Sequence, residues 1–265
     1  MKISIITISF NQKPFLKECI DSILSQNYPD FEYIVVDPGS TDGSRELIDS
    51  YGPRITKIFE PDLGPADGLN KGFNRATGEV LCYVNSDDFL LPGALASAAA
   101  NLQTSRADIV YGHANIVNEN SVLKRTIYSD RFDLTSAAYG SCIIIQPSSF
   151  FLNSAYLSTN GFNAKNKSNW DDELFVEMAL SGKKFKLVNE IWSAYRVHNE
   201  SITGTGKLAA LHSQYRARIF EKILGKPYSE RSRLLEIALK IRRKLVNYRD
   251  TIQRIINGPV FMSKR

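Results

Sequence analysis

Short apolar runs rich in β-branched residues, ISIITI at residues 3–8 and FEYIVV at 31–36, alternate along the chain with segments whose apolar positions recur every three or four residues. Successive strand side chains point to opposite faces, so a run with little polar alternation predicts a strand covered by helices on both sides. Between these runs Phe15, Leu16, Cys19, Ile20, Ile23 and Leu24 keep helical spacing, with Pro14 tolerated in the first turn and residues 27–29 (NYP) ending the helix. The pattern repeats with a helix near residues 44–50, a strand at 55–60 (ITKIFE), a helix over 66–76 closed by Gly78, and a strand at 79–84 (EVLCYV). Such alternation predicts an α/β fold, an open sheet with right-handed crossovers, whose ligands bind beyond the carboxyl ends of the strands. The polar residues that break the pattern fall at those ends. Thr7, Ser9 and Asn11 follow the first strand, Asp37 the second, Asp62 the third, and Asn85, Ser86, Asp87 and Asp88 the fourth.

Beyond residue 90 the texture is mixed: a helix near 93–103, a strand at 107–112 (ADIVYG), a hairpin turning near Asn118 to Asn120, a strand at 148–152, a helix over 171–181 and two further strands, KFKLV and WSAYRV. This divides the globular part into a nucleotide-type half, residues 1–112, and a second half, 113–203, suited to an acceptor.

Composition adds little to this picture, since 43% hydrophobic and 23% charged residues over 265 positions describe an ordinary folded protein. Charge distribution adds more. Residues 204–265 hold fifteen Lys and Arg against four Asp and Glu, which leaves 18 against 24 for residues 1–203. In that tail Leu234, Ile237, Ala238, Ile241, Leu245, Tyr248 and Ile252 keep helical spacing among basic residues, predicting a basic amphipathic helical extension. It would lie on a membrane surface or pack against the core or a second subunit of a homodimer. No nucleic-acid motif accompanies the charge, so nucleic acid is not an expected partner. Without a spanning apolar run or a secretory signal, the expected location is the cytoplasm, peripheral at the inner face of the cell membrane. Cys19, Cys82 and Cys142 sit far apart among apolar residues and are expected as free thiols.

The turn after the first strand, TISFNQKPF, has neither a G-x-G-x-x-G nor a P-loop, which excludes the commonest dinucleotide and triphosphate cradles. Adjacent Asp87 and Asp88 each raise the cost of ionising the other unless a cation or polar ligand intervenes. Asp171 opens a helix, where a carboxylate is either a plain cap or a general base. His198 follows a strand, a common place for a structural histidine, and Trp170 and Trp192 are either core aromatics or sugar platforms.

Residues 4–44 (SIITISFNQ through STDGS) and 60–88 (EPDLGPADGLNKGFNRATGEVLCYVNSDD) resemble the nucleotide-sugar half of the family 2 inverting glycosyltransferases of bacterial type, and QPSSFF, NWDDEL and YRVHNES resemble the acceptor half. The resemblance covers about residues 1–203. It implies a GT-A fold, a Rossmann-like mixed sheet flanked by helices, and transfer of a sugar from a nucleoside diphosphate donor, UDP-linked, to a saccharide or lipid-linked saccharide hydroxyl with inversion. It implies that Asp37 contacts the nucleotide base, that Asp62, Asp67 and Asn70 lie near base and ribose, and that Asp87 ends a D-x-D motif beside a divalent Mn2+ or Mg2+. The first Asp of that motif is Asn85 here, an oxygen ligand without charge. Thr7, Ser86 and Arg196 are assigned to the donor side, with His198 near the diphosphate and the metal and Ser201 beside it. Asp171 aligns with the base, Asp172 is its alternative, and Glu173 falls on a following acidic position. Two other classes stay open: a sugar nucleotidyltransferase, and a module that binds nucleotide sugar without turnover.

Overall fold

The computed structural model describes residues 1–198 and 209–258. The chain runs through β1 (Ile3–Ile8), α1 (Lys13–Leu24), β2 (Phe31–Val36), α2 (Ser44–Ser50), β3 (Thr56–Ile58), α3 (Pro65–Arg75) and β4 (Val80–Tyr83), the expected alternation. It continues through β5 (Phe89–Leu90), α4 (Ala94–Thr104), β6 (Ile109–Val117), β7 (Leu123–Ile127), α5 (Leu134–Ala138), β8 (Ser149–Leu152), α6 (Asn153–Tyr156), α7 (Trp170–Leu180) and β9 (Phe185–Arg196). Three helices close the described chain: α8 (Ala209–Leu224), α9 (Arg233–Val246) and α10 (Tyr248–Asn257).

All nine strands join one sheet in the order β3-β2-β1-β4-β8-β6-β9-β5, with β7 paired to β6. The first four are mutually parallel, β8 runs antiparallel to both β4 and β6, and β6 and β9 are parallel. Strand alternation explains why the first runs are apolar throughout. Tyr33 and Val35 of β2, and Val80 and Cys82 of β4, face Leu16, Ile20 and Ile23 of α1 and Leu95 of α4 on one side. Ile34 and Val36, with Leu81 and Tyr83, face Leu69 and Phe73 of α3 and Leu174 and Phe175 of α7 on the other. Each face therefore has its own helical cover, the condition under which a parallel sheet is stable.

The structure departs from the sequence reading in three places. KFKLV and WSAYRV form one strand, β9, because the intervening polar pair Asn189–Glu190 sits in a register shift between the Tyr111–Leu187 and His113–Ile191 pairings, opposite Gly112, instead of a turn. Gly112 permits this bulge, since a Cβ there would stand 2.7 Å from the Glu190 carbonyl oxygen and 3.1 Å from the Trp192 ring. The strand at 55–60 shrinks to three residues at the sheet edge, with Thr56 and Lys57 exposed. The tail helix breaks at Asn247, whose side chain accepts the Asp250 amide to start α10. Packing against the core is one of the placements expected for the extension, and α8 packs on α5 and α7 while α10 packs on β7. No helix among the described residues is long and apolar enough to cross a membrane. The three cysteines are free, and burial pushes the Cys19 and Cys142 thiols up to about 12.

Candidate active site

At the carboxyl ends of β1 and β4 a cleft of about 950 Å³ opens, running from Ser9, Pro38, Asp62 and Asn85–Asp88 to Trp170, Asp171 and Asp172. Further lining comes from Ile127 of β7 and the following Tyr128, and from the C-terminal helices through His212, Arg243 and Arg254.

The chain turns sharply after β4, with the Asp88 amide donating to the Asn85 carbonyl at 3.0 Å, and then pairs through β5 with β9. This turn separates the two adjacent aspartates. Asp88 points inward, 2% exposed, where its Oδ1 accepts the Arg196 amide at 2.9 Å and its Oδ2 has no partner among the described residues. Burial, reinforced by the neighbouring Asp87, holds the Asp88 carboxyl well above the usual range. Asp87 points to the cleft, its Oδ2 3.2 Å from Nε2 of His198, whose ring leans on Phe15 at 4.6 Å between centroids.

Arg196 takes a different place from the one expected. Its side chain is 1% exposed and all three nitrogens are engaged: Nε donates to the Asp87 carbonyl at 2.8 Å, Nη1 to the Asn118 and Glu119 carbonyls and Ser121 Oγ, and Nη2 to Glu18 at 2.5 Å. The guanidinium also lies over Phe15 and Phe89, 4.9 and 5.5 Å from the ring centroids. It fixes the β4–β5 turn from behind and does not line the cleft.

Four other residues assigned to the donor are likewise committed to the scaffold. Thr7 is fully buried, its Oγ1 accepting from the Tyr33 hydroxyl at 3.0 Å. The Asp37 carboxylate, also fully buried, accepts the Gly39 and Ser40 amides, the Ser40 hydroxyl and Arg45 Nε, and so folds its own loop. Asp67 accepts the Leu63 amide, and Asn70 bonds the backbone of Phe162 through both its amide atoms. Asp62, Asn85, Ser86 and Asp87 do line the cleft. Burial raises the Asp62 carboxyl above its usual value.

Also lining the cleft, Asp171 and Asp172 occupy the first turn of α7, behind the cap residue Asn169, which makes no side-chain capping bond. Neither carboxylate is therefore the helix cap. Burial raises both carboxyls above the ordinary range, and for Asp172 the Asp171 charge adds to the shift. Carboxylates raised toward neutrality are suited to accepting a proton. Glu173 faces away, 4% exposed, and accepts from Asn163, Asn166 and Arg218. Trp170 lines the cleft with an unpartnered Nε1 among the described residues, whereas Trp192 is a core residue edge-on to Phe150. Ser201 lies outside the described residues.

Gln146, which donates to the Tyr83 carbonyl at 2.6 Å, and the wall residues from α8–α10 also line the cleft but were not singled out from sequence. The QPSSFF motif could have pointed to Gln146; only the fold could bring the tail to the cleft.

No cluster of three His, Cys, Asp or Glu among the described residues forms a ready-made metal site. Asp87 and His198 nevertheless suit a hard divalent ion that takes its remaining oxygens from substrate phosphates and water. The unpartnered Asp88 Oδ2 behind them and the amide oxygen of Asn85 add to an oxygen-rich surrounding.

Residues 4–161 match the family described as Glycosyl transferase family 2. The chain is 29% identical over 207 residues, 75% of its length, to the chondroitin synthase of Pasteurella multocida, and covers 21% of that protein. It spans 18% to 38% of the length of several curated relatives. S. aureus TarS 1–349, solved with UDP-GlcNAc, superimposes with a TM-score of 0.70 at 17% identity, over 93% of this chain and 73% of that one. The mannosyltransferase PcManGT of Pyrobaculum calidifontis, solved with GDP-Man and Mn2+, does so at 0.64 and 19% identity, over 96% and 73%. The mixed sheet and its helices are those of these GT-A glycosyltransferases, and the chain belongs to glycosyl transferase family 2.

Proposed function

We propose that the cleft moves a sugar from a nucleoside diphosphate sugar, UDP-linked, onto a saccharide hydroxyl with inversion at the anomeric carbon. The observation that carries this reading is the placement of two carboxylate sites on the lining of one cleft, Asp87, which contacts His198, and the pair Asp171 and Asp172. Asp171 takes the proton from the acceptor hydroxyl as its oxygen attacks the anomeric carbon. The bond to the diphosphate breaks on the opposite side, and the diphosphate leaves with the electron pair. A bound Mn2+ or Mg2+, held by Asp87 and His198, would supply positive charge for that leaving group. Ser9, whose buried hydroxyl has no partner among the described residues, and Asn85 and Ser86 are placed to contact the donor.

The UDP donor is supported by the TarS complex with UDP-GlcNAc, and the metal by the Mn2+ complex of PcManGT. A saccharide acceptor is supported by the chondroitin synthase likeness, and we extend it to a cell-surface or lipid-linked glycan made at the inner face of the cell membrane. A nucleotidyltransferase would need a basic, glycine-rich loop after β1 for a triphosphate, which TISFNQKPF does not provide.

Incubation with an α-linked UDP-sugar, Mn2+ and a saccharide acceptor tests the reaction. Proton NMR of the first product should show a β-linkage. An α-linked product would contradict the single displacement, and release of nucleoside monophosphate in place of diphosphate would contradict the whole reading.

A further inference from the structure

The amphipathic tail packs by its polar side. Arg243 donates to Asp130 at 2.6 Å and Asn247 to Asp130 and the Tyr128 carbonyl, while Arg254 pairs within α10 with buried Asp250 at 2.7 Å. Leu239 is the one large apolar residue of α9 that is buried with them.

The opposite side of both helices is apolar and bare. Leu234, Ile237, Ile241 and Leu245 follow one another at helical steps along α9, and Tyr248, Ile252, Ile255 and Ile256 continue the row along α10; all eight are exposed, Leu234 at 82% and Ile255 at 77%. An apolar strip of this length on two consecutive helices marks a surface that is covered in use. Its borders identify the cover. Lys240 and Lys244 run along one side of the α9 row and Arg242 along the other, with Arg249 beside the α10 row, all exposed. The two helices hold only two acids, Asp250, which is buried, and Glu236, which is paired with Lys240 and Arg231.

From this arrangement we infer that α9 and α10 lie on the surface of an anionic lipid bilayer, apolar row in the acyl boundary and basic borders at the headgroups. A second copy fits less well, because a two-fold contact through the same row would bring the basic borders together, while Asp133, the partly exposed carboxylate at that border, is already paired with Arg242. A bilayer bearing phosphate headgroups is complementary to both the row and its borders. The same helices present Arg243, Asp250 and Arg254 to the cleft. A bilayer on their outer side would therefore lie about one helix diameter, ~10 Å, from the cleft wall, within reach of a lipid-anchored acceptor. This last step rests on the glycosyltransferase reading; the docking itself does not.

Co-sedimentation of the full chain with phosphatidylcholine–phosphatidylglycerol vesicles, against phosphatidylcholine alone, tests the inference. Binding should be clear with the anionic vesicles at low salt, weaken as salt rises and be much lower with neutral vesicles. Ile237→Asp combined with Ile241→Asp should lower the partition coefficient about tenfold or more, with thermal melting and UDP-sugar binding unchanged, since both positions are solvent-facing and do not line the cleft. Absence of anionic-vesicle binding by the intact protein, equal binding by the double variant, or a solution dimer that the double variant dissolves would each overturn the inference. Vesicle binding without UDP-sugar binding would leave the docking standing and count against the functional reading alone.

Discussion

Replacing Asp171 by Asn lowers sugar transfer by about 10²-fold or more while donor binding and the fold are kept, because a neutral amide of nearly the same shape cannot accept the acceptor's proton. The structure removes the alternative of a helix cap, since Asn169 is the cap position and makes no side-chain capping bond. A substitution that merely removed a cap would cost about 1 kcal/mol of stability and leave transfer intact. The pH profile supplies a second readout. Burial holds both carboxyls of the pair above the usual range, so the acid limb of the rate profile should lie at higher pH than an ordinary aspartate gives. The Asp171 charge raises Asp172 further, so Asp172 is still neutral when Asp171 ionises, and Asp172→Asn should leave that limb in place. Transfer by Asp171→Asn at the wild-type rate would remove Asp171 from the chemistry.

Arg196→Met is expected to cost about 3–5 kcal/mol of folding stability, the usual penalty for removing one partner from a buried charge network. Methionine keeps much of the packing between Phe15 and Phe89 but donates nothing. It leaves the carbonyls of Asp87, Asn118 and Glu119 without the bonds they now accept, while Glu18, 42% exposed, returns to water. Urea denaturation at neutral pH measures the cost. Because Arg196 holds the turn that carries Asp87, metal-dependent donor binding should weaken in the folded fraction as well. A loss below about 1 kcal/mol would mean that these bonds barely exceed their exchange with water.

The parallel half was legible because both of its faces are buried, which writes β1, β2 and β4 as continuous apolar runs. The bulge in β9 was not, since a polar Asn189–Glu190 pair between apolar runs has the signature of a turn and only Gly112 on the neighbouring strand makes room for the alternative. In the site, Asn85, Ser86, Asp87 and Asp171 could be found because they stand where an element ends or begins and face the cleft. Thr7, Asp37, Asp67, Asn70 and Arg196 are equally conspicuous polar residues, yet buried backbone and loop groups claim them, and sequence does not say which polar side chains the scaffold needs. The tail's periodicity was plain in the sequence, but not the side by which it docks. Bonds from Arg243 and Asn247 to Asp130 reverse the usual arrangement and turn the apolar row outward.

The central claim is that Asp87 acts on the donor diphosphate and Asp171 on the acceptor, and calorimetric titration of nucleoside diphosphate sugars with and without Mn2+ tests it most directly. The intact protein and Asp171→Asn should bind a UDP-sugar equally, tightened by Mn2+ in both. Asp87→Ala should lose that Mn2+ dependence, because it removes the charged oxygen ligand from the ion. Unchanged affinity of Asp87→Ala in both conditions, or no binding of any UDP- or GDP-sugar by the intact protein, would contradict the account.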